Sequence, residues 1–378
     1  EAETEALGEK LARSLPEHGV VIAMYGELGA GKTAFVRGLA RGLEVDGAVT
    51  SPTFTIVNEL YGKRDLFHFD MYRLGSADEL FDIGWEDYLD RGGVCAVGAR
   101  QLRRMAENGG SFSGNQSGGS GGNAAIVENA VTGEGVLVDC VICKRDFFAR
   151  AEEAGFNLEK LRAVVITHDH GDHTKGLGVV LRGLAKAGAH PAVCASEAVF
   201  AVSAPLREAV ASVGAAFEPF DGGDRLDLAG LAVRPFHTSH DAADSYGFRF
   251  EERGSGCDSL GYMTDTGVVT DAAWEALSGV HLLALESNHD ARMLQTGPYP
   301  YVIKQRIASA RGHLSNDQAR EALDNLAHEN LRAVAAMHVS QENNTYRLPR
   351  DTFEAVIAER GLPTTVFVAF QNRLVTIG

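Results

Sequence analysis

Thr167-His168-Asp169-His170-Gly171-Asp172-His173 places three imidazoles and two carboxylates within seven residues. The run follows Ala163-Val164-Val165-Ile166, which is short, β-branched and bounded by polar residues. It therefore reads as a buried strand ending in a ligand-rich loop. Desolvating so many polar groups is costly unless a ligand offsets it, and imidazole and carboxylate are what hard-to-borderline divalent metals prefer. In a loop, His168 and His170 can turn to one side while Asp172 and His173 turn to the other. One stretch then serves two ions, and two ions roughly 3.5–4 Å apart can polarise a phosphoryl or carbonyl oxygen.

Each ion needs more ligands than the loop supplies, and groups that orient them. His237, His240, Asp265 and His338 each stand beside a strand-like segment and are the candidates. Residues 124–127 and 135–138 read as a strand pair, the second running into the carboxylate of Asp139. Helical spacing follows over 147–154, then the strand before the His/Asp loop, a helix over 176–187 and a short strand over 192–195. Such alternation predicts a layered α/β fold.

At 378 residues the chain exceeds the usual size of a single core, so two domains are expected. A net charge of −16 excludes a broad nucleic-acid-coating surface, though not a narrow groove in which metals supply the positive charge. The cysteines, Cys95, Cys140, Cys143, Cys194 and Cys257, are scattered. Cys140 and Cys143 have Cys-x-x-Cys spacing but lack the further ligands of a zinc site and the context of a redox site, so reduced thiols are expected. No apolar run reaches transmembrane length, and the acidic start Glu1-Ala2-Glu3 is unlike a signal peptide. A cytoplasmic protein without membrane partners is the expectation.

Near the N-terminus, apolar residues Ala6, Leu7, Leu11 and Leu15 at helical spacing precede the continuous apolar run Val20-Val21-Ile22-Ala23-Met24-Tyr25. Gly26-Glu27-Leu28-Gly29-Ala30-Gly31-Lys32-Thr33 follows and leads into a helical segment over 34–43. This matches G-x-x-x-x-G-K-[ST] between a strand and a helix, the context that the motif requires. Gly26, Gly29 and Gly31 would let backbone amides curl around phosphates, Lys32 would reach the β- and γ-phosphates, and the Thr33 hydroxyl would meet Mg²⁺. Strands are expected over 56–60 and 66–69, the latter ending at Asp70, a second candidate for Mg²⁺.

The P-loop, with Thr50-Ser51-Pro52-Thr53-Phe54-Thr55, Asn58-Glu59 and His68-Phe69-Asp70-Met71-Tyr72-Arg73-Leu74, resembles TsaE, the small ATPase of bacterial tRNA threonylcarbamoyladenosine (t6A37) biosynthesis. The resemblance implies ATP with Mg²⁺ on Lys32, Thr33 and Asp70, a nucleotide-sensing loop at Ser51 and Thr53, and partners of TsaB and TsaD type. Gly98-Ala99 stands where the family usually has a Glu-Trp pair that supports hydrolysis, and the closing strands expected after it are absent. ATP binding is thus implied, and turnover is left open.

From Asn108 to Asn123 the chain is rich in Gly, Ser and Asn, which is linker chemistry. Beyond it, His-x-His-x-Asp-His followed by His240, Asp265 and His338 resembles the metallo-β-lactamase superfamily. That likeness implies His168, His170 and His240 on one ion, Asp172, His173 and His338 on the other, Asp265 bridging, and Asp139 bracing the loop. His237 is the reserve for His240. Within the superfamily, five blocks resemble the YycJ/WalJ group of DNA exonucleases: Thr238-Ser239-His240-Asp241-Ala242-Ala243-Asp244, Glu286-Ser287-Asn288-His289-Asp290, Gln305-Arg306-Ile307, Gly312-His313-Leu314-Ser315-Asn316, and His338-Val339-Ser340-Gln341-Glu342-Asn343-Asn344.

The fold expected is thus α/β: a P-loop NTPase-like parallel-sheet lobe over 1–97, a linker over 98–117, and a metallo-β-lactamase αββα sandwich over 118–378. The expected function is a phosphodiesterase using two divalent ions, Zn²⁺ or Mn²⁺, on DNA, with RNA as the other substrate to consider. Asp172, His289 and His313 are the candidate catalytic residues, and Asn288 joins the two histidines as a candidate phosphate contact. Lys304, Arg306 and Arg311 suit either flanking phosphates or a solvated helix face. The alternatives are a lactamase- or glyoxalase-like hydrolase and an ATP-binding partner module with an inactive ATPase.

Overall fold

Apolar runs become the inner strands of three sheets in a computed structural model that describes residues 1–16, 20–24, 30–45, 49, 57–69, 93–98, 124–253, 258–371 and 373–377. Two compact units, Glu1–Ser117 and Gly118–Gly378, make up the chain. Gly26, Gly29, Ser51, Thr53, Asp70, Cys257 and residues 99–123 of the junction lie outside the described residues. No helix among the described residues is long and apolar enough to cross a membrane.

In the first unit, strands β1 (Val20–Met24), β2 (Val57–Leu60), β3 (Leu66–Phe69) and β4 (Val94–Gly98) form a sheet in the order β1-β4-β3-β2. β4 runs parallel to both of its neighbours, and β2 joins β3 in antiparallel register. β3 and β4 are buried on both faces, so β4 opens on the continuous apolar run Val94-Cys95-Ala96-Val97 and β3 is apolar apart from the buried His68. Helices α1 (Ala2–Ala12) and α2 (Lys32–Gly42) cross at close range. The residues buried on α1 are Gly8 and Ala12, whereas Leu7 is 60% exposed, contrary to the amphipathic stripe expected of it. Backbone contact explains the change: a Cβ on Gly38 would lie 2.0 Å from the Glu5 carbonyl oxygen, and one on Gly8 would lie 2.3 Å from that of Phe35. Leu11 and Leu15 pack at the margin of this core.

The second unit has two sheets. One holds β5 (Ala125–Glu128), β6 (Gly135–Val138), β7 (Leu161–Val165), β8 (Ala192–Ala195) and β9 (Phe217–Pro219), in that order. The other holds β10 (Leu226–Leu228), β11 (Leu231–His237), β12 (Tyr246–Glu251), β13 (Ser259–Met263), β14 (Leu282–Glu286), β15 (Ala333–Met337) and β16 (Thr365–Val368). Side-chain alternation divides the cores. Ala163 and Val165 of the first sheet meet Phe248, Tyr262, Ala335 and Met337 of the second in one cluster between the sheets. Val164 and Ile166 instead meet the outer helices α3 (Lys144–Glu153), α5 (Leu177–Lys186), α6 (Glu197–Val202) and α7 (Ala204–Val213), with the short α4 (Gly171–Thr174) between α3 and α5 in the chain, in a layer whose apolar residues include Phe147, Val180 and Leu206. Leu283, Leu285, Val334 and Ala336 pack beneath α8 (Asp271–Leu277), α11 (Asn316–Leu326) and α12 (Arg347–Arg360), with α9 (Ala291–Thr296) and α10 (Tyr301–Ile307) between them in the chain. The layering is αββα, as the alternation of elements predicts.

Parallel strands bring the ends of β6, β7, β14 and β15 to the edges of their two sheets. Three residues just beyond strands, Asp139, Asp265 and His338, hold φ of 53°, 55° and 53°. Such left-handed backbone is unfavourable for a residue with a Cβ and concentrates at functional sites.

Gly38→Ala should push α1 and α2 apart at a cost of about 1–3 kcal/mol. Hydrogen exchange over residues 2–12 should accelerate, while exchange in β14 and β15 should not change.

Candidate metal centre

Five segments converge here. They are the 167–173 loop after β7, the 238–245 loop after β11, Asp265 after β13, the Glu286–His313 region after β14, and His338 after β15. The ligand atoms of His168, His170 and His240 lie within 4.8 Å of one another, as do those of Asp172, His173 and His338. A third such group is His168, His173 and Asp265. Asp265 therefore stands between the first two sets, with its Oδ2 3.5 Å from His173 Nε2 and its Oδ1 3.3 Å from His338 Nδ1.

Hydrogen bonds orient each imidazole from behind. His173 Nδ1 donates to Asp139 Oδ2 at 2.8 Å, and the Thr167 hydroxyl donates to the same oxygen at 2.8 Å. The Thr167 amide donates to Asp139 Oδ1 at 2.9 Å, so this buried carboxylate holds both ends of the loop. His168 Nδ1 then faces the Thr167 oxygen at 3.0 Å as donor. His240 Nδ1 donates to the Gly312 carbonyl at 3.0 Å, and His338 Nδ1 to Glu286 Oε1 at 2.8 Å. His170 is reversed: its Nε2 lies 3.3 Å from the Asp241 carbonyl, which leaves Nδ1 to face His240 Nε2 at 3.3 Å. In every ring one nitrogen is engaged on the outer side and the other is turned to the centre. His168 Nε2, His173 Nε2, His338 Nε2 and Asp265 Oδ2 are buried with no hydrogen-bond partner among the described residues. Four such orphans in one cluster are a donor set that a divalent cation satisfies.

The electrostatics point the same way. Burial, aided by the neighbouring His173, holds His168 well below the usual imidazole range. Burial also works against charge on Asp265, but the imidazoles of His338, His173 and His168 outweigh it and keep this carboxyl well below its usual range. Burial pushes His173 down as well, and there Asp265 and Asp139 prevail and hold it at about 10. The carboxylates thus draw positive charge into the pocket.

Glu286 is the residue that reading the sequence left without a role. Fully buried, it accepts from His338 Nδ1 and from His313 Nδ1 at 2.9 Å through Oε1, and from the amides of Thr266 and Leu314 at 3.1 Å each through Oε2. Its signal was an acid ending an apolar strand, the same signal that Asp139 carries. Against burial, Glu286 holds His313 at about 9. His289 is nearly enclosed, and burial pushes it to about 4. Asn288 turns its amide to the His338 carbonyl at 2.9 Å and serves the backbone.

His237 is apart from the cluster, half exposed, with its ring against Tyr246 and Nε2 3.6 Å from Asp221. The three cations have local partners. Arg311 donates to the His240 carbonyl at 3.0 Å, Lys304 to that of Gln295 at 2.9 Å, and Arg306 pairs with Asp241. In the first unit, β1 ends at Met24, Gly31 has φ of 87°, and α2 begins at Lys32 and Thr33, so a strand and a helix flank the motif. Cys95, Cys140, Cys143 and Cys194 are buried, reduced thiols.

A family model described as Beta-lactamase superfamily domain matches residues 135–338, and one described as Threonylcarbamoyl adenosine biosynthesis protein TsaE matches residues 1–107. The chain belongs to the β-lactamase superfamily, as a metallo-β-lactamase-fold hydrolase carrying a TsaE-family segment at its N-terminal side. Within that superfamily it is similar to Exodeoxyribonuclease YycJ of Bacillus anthracis, at 31% identity over 60% of this chain and 82% of the relative. The TsaE protein of Treponema pallidum is 43% identical over 25% of this chain and 70% of its own length. The fold matches the crystal structure of the metallo-β-lactamase fold protein YhfI from Bacillus subtilis, with a TM-score of 0.50 and 18% identity over 69% of this chain and 92% of that one.

Asp139→Asn keeps a residue that tolerates positive φ but turns an amide nitrogen toward the Thr167 hydroxyl and His173 Nδ1. A loss of about 3 kcal/mol is expected, read as a lower urea midpoint with chelator present. A change within about 0.5 kcal/mol, as at an ordinary surface site, would count against the bracing role.

Proposed function

We propose that the second unit is a two-metal phosphodiesterase acting on DNA as an exonuclease. The observation that supports it most is the set of unpartnered buried ligand atoms on His168, His173, His338 and Asp265, each imidazole among them braced from behind. His168, His170 and His240 would hold one divalent ion, Asp172, His173 and His338 the other, with Asp265 shared. The donor set of imidazole and carboxylate suits Zn²⁺ or Mn²⁺. Such ions, when bound, supply Lewis-acid polarisation of a phosphoryl oxygen and activation of water.

His313 keeps a partly open side chain, while Glu286 fixes its Nδ1 and stabilises its protonated form. It would deliver a proton from Nε2 to the leaving oxygen. His289, neutral and enclosed, lines the same region and shapes it. An Asp at position 265, in place of the cysteine that lactamases often carry, favours the phosphodiester reading, as do relatives named exodeoxyribonuclease.

Metal-dependent cleavage of 5′-labelled single- and double-stranded DNA by the full chain tests this. Asp172→Ala should lower the rate by at least about a hundredfold, and chelator should abolish it until Mn²⁺ or Zn²⁺ is restored. A folded, metal-loaded chain that leaves both DNAs intact would sink the nuclease reading. Turnover of a lactam or thioester by such a chain would replace it with the lactamase- or glyoxalase-like one.

For the first unit we propose Mg-ATP binding at Gly31, Lys32 and Thr33, with Gly26, Gly29 and Asp70 completing the site, and docking to TsaB- and TsaD-type proteins. The positive φ of Gly31 at the start of α2 supports it, because backbone amides at a helix N-terminus suit phosphate. Titration of a fluorescent ATP analogue should give saturable binding that Lys32→Ala weakens at least about tenfold. Equal binding by the variant would remove Lys32 from the site.

A further inference from the structure

The segment from α9 through α10 leaves the centre at His289 and returns to it at His313. Residues 291–316 contain Arg292, Lys304, Arg306 and Arg311 and no acid, in a chain with 51 acidic and 35 basic residues. α10 has no buried residue, yet it opens with Tyr301, Val302 and Ile303, of which the first two are each 74% exposed. A helix with an apolar end and no core of its own has an unpartnered face. It is nevertheless held in place. Arg306 pairs with Asp241, next to His240, Lys304 Nζ reaches the Gln295 carbonyl at 2.9 Å, and the His313 amide donates to the Ile307 carbonyl at 2.9 Å. Gly312 permits the last contact, since a Cβ there would fall 2.1 Å from that carbonyl oxygen. Tyr301 stands ~9 Å along the helix axis from Ile307, within a few nucleotides' reach of the centre.

Resting on the phosphodiesterase reading above, we propose that α9 and α10 form a platform for one single strand of nucleic acid. Bases stack on Tyr301 and Val302, and phosphates run along Arg292 and Lys304 toward the centre. Charge complementarity selects this occupant: the strap is basic where the chain is acidic, and aromatic faces beside cations are what single strands bind without regard to sequence. A second copy of this chain would bring its own excess of acid but no reason for an aromatic crest.

The test compares the full chain with Tyr301→Ala/Val302→Ala, both exposed positions, on a 5′-labelled single-stranded oligonucleotide and on a small nitrophenyl nucleotide diester, with Mn²⁺ in both assays. The ratio of kcat/KM on the oligonucleotide to that on the diester should fall at least about tenfold, mainly through KM, and Tyr301→Phe should restore most of it. An unchanged ratio with both substrates turned over overturns the platform and leaves the phosphodiesterase standing. A wild-type chain that cleaves neither substrate overturns the phosphodiesterase, and the platform with it. A dimer in sedimentation that the double substitution converts to monomer, with the ratio unchanged, assigns the face to a second copy instead.

Discussion

Two buried carboxylates set the terms for the second unit. Asp139 and Glu286 are both fully removed from solvent, and an ionised acid in such a place is tolerated only when donors surround it. Each finds those donors in backbone amides and in the outward nitrogens of imidazoles, and each acts as a hub joining segments distant in sequence. The histidines gain a defined tautomer from the same bonds. Stability of the acids and orientation of the ligand atoms are therefore one interaction seen from two ends. That is why these acids sit at strand ends: the strands supply rigid stems, and the chain can turn into left-handed backbone just beyond them at Asp139, Asp265 and His338.

Much of this was legible before any coordinates. Short continuous apolar runs bounded by polar residues announce the inner strands, and β8 falls at residues 192–195 as read. The 168–173 loop declares its chemistry by density of histidine alone. His240, Asp265 and His338 were harder, because a lone polar residue after a strand has many uses, and only their company in space gives them meaning. Two things escaped pattern. Glu286 lay inside a recognised block, but its bond to His338 depends on the parallel pairing of β14 with β15 and its bond to His313 on the return of the chain after α10, both tertiary facts. Leu7 appeared to be core by helical spacing, yet backbone-to-backbone contact through Gly8 and Gly38 turned α1 so that small residues face inward. Hydrophobic periodicity ranks residues by size and oiliness, whereas a close helix crossing selects for the absence of a side chain.

The two units store their chemistry differently. In the first, the motif is a run of consecutive residues that ends at the start of α2, where Gly31 holds a positive φ. Local determinants of that kind survive changes elsewhere in a chain, which fits a segment covering 70% of a relative's length while keeping 43% identity to it. In the second, no consecutive stretch suffices, and the centre exists only where strand-end loops of two packed sheets come together.

That dispersal has a consequence for a protein being made on the ribosome. The loop bearing His168, His170 and His173 is synthesised long before His338, and β15 must pair with β14 before Glu286 can orient the final imidazole. Until then the early histidines are a partial set on one sheet whose partner sheet is unfinished. Whatever reaction the finished centre performs is withheld from the nascent chain, because the fold completes its scaffold and its chemistry in the same late step.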